Sequence, residues 1–78
     1  VKTPDNSRGS FDKARGNQGF VDKKTGTVFQ KSNTNHSKSP GGEWKAGVKP
    51  GQQPTKNEKV TVSGGEKGGC VIKKDGCK

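Results

Sequence analysis

The sequence predicts a mainly β fold: a small, twisted antiparallel sheet of about five short strands, partly barrel-like, behind an irregular N-terminal arm. Three observations carry this expectation. Apolar residues recur with a period of two in short runs, Gly, Pro, Asn and Asp punctuate those runs, and no segment shows an amphipathic helical stripe.

Residues 1–18 are rich in turn formers and basic side chains and read as an arm or linker remnant, with Phe11 as its one residue that has an obvious reason to be buried. Residues 19–78 form the domain. Within it, Phe20-Val21 and Thr27-Val28-Phe29 flank Asp22-Lys23-Lys24-Thr25-Gly26, the pattern of a β-hairpin whose glycine takes the left-handed position. Ser32 to Pro40 is a polar surface loop. Glu43 to Val48 returns to alternation, placing Trp44, Ala46 and Val48 on one face and Glu43 and Lys45 on an open opposite face. A Pro- and Gly-bearing connection leads to Glu58–Ser63, with Val60 and Val62 inward, and Gly64–Gly69 turns the chain into a last strand at Cys70–Lys73.

The apolar inventory is thin: seven Val, one Ile, three Phe and one Trp in 78 residues. Each is worth about 1.5–3 kcal/mol if fully buried, against an ordering entropy on the order of 100 kcal/mol for a chain this long. Backbone pairing, a covalent staple or a partner must therefore contribute. Cys70 and Cys77, with six residues between them, can close a small loop in an oxidising compartment. One His and two Cys do not supply the tetrahedral ligand set of a structural zinc.

Sixteen Lys and Arg against seven Asp and Glu give a net charge of +9, which points to a polyanionic target. Membrane insertion is unsupported, because the longest apolar run is Cys70-Val71-Ile72. No secretory signal is evident, and the start at Val1 without any methionine suggests a piece of a longer protein. Phosphate-cradling loops, dinucleotide fingerprints and nucleophile elbows are absent, and the scattered acids do not make a two-metal nuclease. No cofactor is expected.

The chemistry-bearing residues cluster in the middle. His36 is the chain's only histidine, and the loop that carries it ends at Glu43. An imidazole and a carboxylate on a cationic chain are the parts of acid/base catalysis on a polyanion. Each has a plainer reading: His36 as an incidental loop residue, Glu43 and Lys45 as a surface ion pair, Asp22 as a backbone-bonding turn residue.

At Gly19-Phe20-Val21-Asp22, Gly26-Thr27-Val28-Phe29, His36 and Gly41-Gly42-Glu43-Trp44 the chain resembles the toxic C-terminal domains of bacterial polymorphic toxins, contact-dependent growth inhibition effectors among them, and more distantly ribosome-cleaving colicin nuclease domains. The resemblance covers about 30 residues. It implies a basic twisted sheet that cleaves ribosomal or transfer RNA without metal, is secreted within a larger protein, is delivered to the cytoplasm of a target cell, and is neutralised by an acidic immunity protein. The relatives' catalytic His and Glu fall on His36 and Glu43, and their early acidic residue on Asp22. The colicin-like pattern groups these residues in a shorter span, and some relatives carry His where this chain has Glu43.

Cleavage through the 2′-hydroxyl needs a base, an acid and a cation. The expected assignment is Glu43 as base, His36 as acid and Lys45 as electrostatic clamp, with Asp22 a fourth candidate. Lys23, Lys24, Lys31, Lys38 and Lys59 are the expected RNA contacts. Trp44 is expected in the core, since it is the largest apolar group of a poor one. The competing class is a non-enzymatic basic module that binds RNA or the ribosome.

Overall fold

A computed structural model describes residues 1–16, 19–35 and 37–73, and the backbone of 76–77. Its short strands pair only with their sequence neighbours, because every connection is a tight turn or a loop that doubles straight back. After a single 3-10 turn at Arg8–Ser10 come β1 (Phe11–Lys13), β2 (Phe20–Asp22), β3 (Val28–Lys31), β4 (Glu43–Ala46), β5 (Val60–Ser63), β6 (Val71–Lys73) and the two-residue β7 (Gly76–Cys77). All pairings are antiparallel and the sheet order is the chain order. This is the expected antiparallel β architecture. It is an open meander, with no pair closing β1 onto β7 among the described residues, so the barrel-like element of the expectation is not met.

The β2–β3 hairpin forms where the sequence predicts it. Gly26 sits at φ +79°, its N–H donates to the Asp22 carbonyl at 2.8 Å, and Asp22 Oδ1 accepts the N–H groups of Lys24 at 2.7 Å and Thr25 at 3.0 Å. The β4 strand is shorter than expected. At Gly47 a side chain would run into the Gln52 carbonyl, the backbone turns there, and Val48 ends up 45 % exposed rather than facing the core.

The N-terminal segment is not a detached arm. Phe11–Lys13 is an edge strand registered Phe11↔Asp22 and Lys13↔Phe20, and Phe11 is buried as expected. Three residues between turn formers leave no periodicity to read, which is why β1 is invisible in the sequence. Upstream, Thr3 is fully buried, and its Oγ1 accepts the N–H groups of Asp5 and Asn6 in a tight side-chain turn. Asp5 fastens this segment to the sheet. Its Oδ2 accepts the Trp44 indole N–H at 2.8 Å and the Gly65 N–H at 2.7 Å, and lies 3.5 Å from Lys31 Nζ.

Register puts Phe11, Asp22, Phe20, Phe29, Lys31, Trp44, Ala46, Val60, Val62 and Val71 on one face. Five of these, Phe11, Phe29, Trp44, Ala46 and Val62, are the buried core, with Phe20 and Val60 against them. Phe11 meets Phe29 edge-on at 5.2 Å and Phe20 meets Trp44 edge-on at 5.7 Å, contacts worth about 0.5–1.5 kcal/mol each beyond their buried area. The other face carries Asp12, Val21, Val28, Gln30, Glu43, Lys45, Thr61, Ser63 and Ile72.

The covalent staple is present: Cys70 is disulfide-bonded, in a chain with two cysteines. A bridge that closes a loop this short stabilises by about 2 kcal/mol, mainly by restricting the unfolded chain. Unfolding in urea with and without a thiol reductant is expected to differ by about that amount. Coincident midpoints would show that the bridge contributes nothing.

Candidate functional site

The site is built on β4 and the loop that precedes it. Ser32 N–H donates to the Glu43 carbonyl at 2.9 Å, so the β3–β4 ladder persists one step beyond the strand before the chain leaves the sheet. The Asn35 side chain then holds the loop's return, Oδ1 accepting the Ser39 N–H at 3.0 Å and Nδ2 donating to the Ser39 carbonyl at 2.7 Å. The return is close to another backbone: a side chain at Gly41 would collide with Gly64 and Gly65, and Gly64 N–H donates to the Gly42 carbonyl at 2.8 Å. The glycine pair at 41–42 thus lets two loops touch immediately before Glu43.

Glu43 is 2 % exposed and its Oε2 accepts the Ser37 N–H at 2.8 Å. Alternation correctly places it with Lys45, opposite Trp44, but the face is not open at this point. The loop folds back over the carboxylate, which anchors it. Lys45 is half-buried between Gln30 and Thr61. His36 precedes Ser37 in the chain and lies outside the described residues.

The remaining expected site residues are dispersed. Asp22 is on the core face, across the sheet from Glu43, and serves the turn. The Thr25 N–H, outweighing a smaller opposing effect of burial and helped by the Lys24 N–H and by Lys2, holds its carboxyl below the usual 3.8. Its assignment to a site shared with Glu43 is therefore corrected. Lys31 is also on the core face, where its ammonium donates to the Gly41 carbonyl at 2.6 Å, sits 5.0 Å from the Trp44 ring centre and faces Asp5. It braces the N-terminal segment rather than the Glu43 face. Lys23 and Lys24 are exposed at the hairpin turn, Lys23 lying 3.9 Å from Asp12. Lys38 is exposed in the loop at φ +57°. Lys59 donates to the Lys56 carbonyl at 2.7 Å, and both line a cleft of about 310 Å³ with Lys73, Thr61 and Ile72 and, among the described residues, no acidic side chain. Thr61 pairs with Lys45, so the cleft opens one strand away from it.

Comparison with protein-family models, curated proteins and solved structures returns no match. Among the described residues no group of three His, Cys, Asp or Glu could hold a metal ion, and no helix is long and apolar enough to cross a membrane.

Asp5 is the residue that sequence reasoning missed. The signal was there in Thr3-Pro4-Asp5-Asn6, a side-chain-bonded turn sequence, but its partners Trp44 and Gly65 are distant in the chain. Burial raises the Asp5 carboxyl pKa, but the Gly65 N–H, the Trp44 indole N–H and Lys31 outweigh it, so the net position is below 3.8. A carboxylate with a depressed folded-state pKa stabilises the fold above its unfolded value and loses that contribution as pH falls through the lower folded one. Urea midpoints are therefore expected to hold steady from pH 7 to about pH 4 and fall below it. In Asp5→Asn, which starts lower, the fall should be shallower. An equal acid slope in that variant would remove Asp5 from the linkage.

Proposed function

We propose that this chain acts on RNA as a metal-free endoribonuclease, with Glu43 as base, His36 as acid and Lys45 as the cation beside them. The observation that carries this reading is the hydrogen bond from Ser37 N–H to Glu43, which ties the loop bearing the only histidine to the buried carboxylate that stands two residues before Lys45 on the same face of β4. The reaction needs little else. Glu43 takes the proton of the 2′-hydroxyl, the 2′-oxygen attacks phosphorus, the bond to the 5′-oxygen breaks, and His36 gives that oxygen its proton. Lys45 offsets the charge of the phosphorane, and the Lys56–Lys59–Lys73 cleft offers the next phosphates a cationic surface. Toxicity to bacteria, delivery from a larger protein and neutralisation by an acidic partner belong to the same proposal and rest on the resemblance.

One observation favours the second reading, a non-enzymatic RNA- or ribosome-binding module. Glu43 at 2 % exposure is first of all a loop anchor, and as a base it must be uncovered when RNA binds. The deciding experiment incubates the protein with total bacterial RNA and with ribosomes and maps the ends produced. New termini bearing 2′,3′-cyclic phosphate and 5′-hydroxyl are the expected result. Salt-sensitive binding without new ends would establish the second reading instead.

A further inference from the structure

The core face is not fully covered. Between the sheet and the N-terminal segment lies an open cavity of about 760 Å³, within the range of small-ligand sites and large for a chain of 78 residues. Its apolar wall is Val60 and Val71, both half-buried, over a floor of Phe29, Ala46 and Val62. The mouth is different in character. Lys2, Lys23 and Lys24 stand around it, and the one carboxylate among its described lining residues, Asp22, is already engaged by the Lys24 and Thr25 N–H groups and by the charge of Lys2.

The cavity is open to solvent and its wall and floor are apolar, so an apolar body that displaces water from them gains free energy. The cationic mouth selects the other end of the ligand. The geometry points to a binding site for a small amphiphilic anion: an unbranched apolar chain that lies against Val60 and Val71, with a carboxylate head at Lys23 and Lys24. Free monomeric alkyl carboxylate is the committed occupant. This site is on the face opposite Glu43 and Lys45, although Val60 and Val71 also line the Lys56–Lys59–Lys73 cleft, and its test reads ligand binding alone, whatever the outcome of the RNA assay.

The test uses the full chain and decanoate below its micelle concentration, followed by amide chemical shifts. Saturable shifts at Ala46, Gly47, Val60, Val62 and Val71 are expected. Decanamide, with the same chain and no charge, should bind about tenfold more weakly, and the double variant Lys23→Gln/Lys24→Gln should weaken decanoate similarly. Thr27→Trp places a large ring at the cavity wall and should abolish binding with the spectrum otherwise well dispersed. Equal affinity for decanoate and decanamide, shifts confined to surface lysines, or response only to anionic lipid vesicles would each overturn the site. Should Thr27→Trp fail to fold, the lysine variant and the decanamide comparison still decide.

Discussion

Trp44→Ala is expected to lose about 3–5 kcal/mol, a large fraction of the roughly 4–12 kcal/mol total stability of a domain this size. Two contributions vanish together. The ring is 4 % exposed, meets Phe20 edge-on, and stands against Val62 across the β4–β5 ladder. Its indole N–H is also one of the two hydrogen bonds that fix Asp5, and through Asp5 the N-terminal segment, to the sheet. Trp44→Phe separates these. It keeps most of the apolar contact and loses the bond, so about 1–2 kcal/mol is expected. Urea unfolding followed by circular dichroism reads both, since the native fluorophore is gone. A Trp44→Ala midpoint close to the parent's would mean that the core is held elsewhere.

How much of this was legible beforehand depends on whether the signal was local. The β2–β3 hairpin was, because Asp22 and Gly26 specify the turn from within five residues and Val28 and Phe29 follow it directly. Trp44 as core was legible from alternation. Phe11–Lys13 as a strand was not, since its only support is the register with β2, and Val48 was misplaced because the contact that turns the backbone at Gly47 comes from Gln52. The site suffered from the same limit. Alternation assigns a side chain to a face but does not say what covers that face. Glu43 and Lys45 do share one, and the burial of Glu43 follows from a loop conformation set by Asn35, Ser39 and the Gly41–Gly65 approach. Asp22 was linked to Glu43 by resemblance alone, and the register puts the two on opposite sides of the sheet.

Glu43→Gln is expected to lower RNA cleavage by at least about 100-fold, the contribution of a general base, with little change in the unfolding midpoint. The amide keeps the shape of the side chain and its oxygen still accepts the Ser37 N–H, so the loop anchor survives while the proton acceptor does not. Glu43→Ala removes both, leaving that N–H without its partner, and about 1–3 kcal/mol of stability should go with the activity. Asp22→Asn supplies the contrast: it weakens the hairpin turn and should leave cleavage per folded molecule intact, because no path through the sheet joins it to Glu43. The ratio of the first two variants carries the inference. A base that also anchors the loop predicts lost cleavage in both and lost stability only in Glu43→Ala. An anchor with no chemistry predicts that Glu43→Gln retains whatever action on RNA the parent has, and that outcome would take Glu43 out of the mechanism and leave the cationic surface as the functional element.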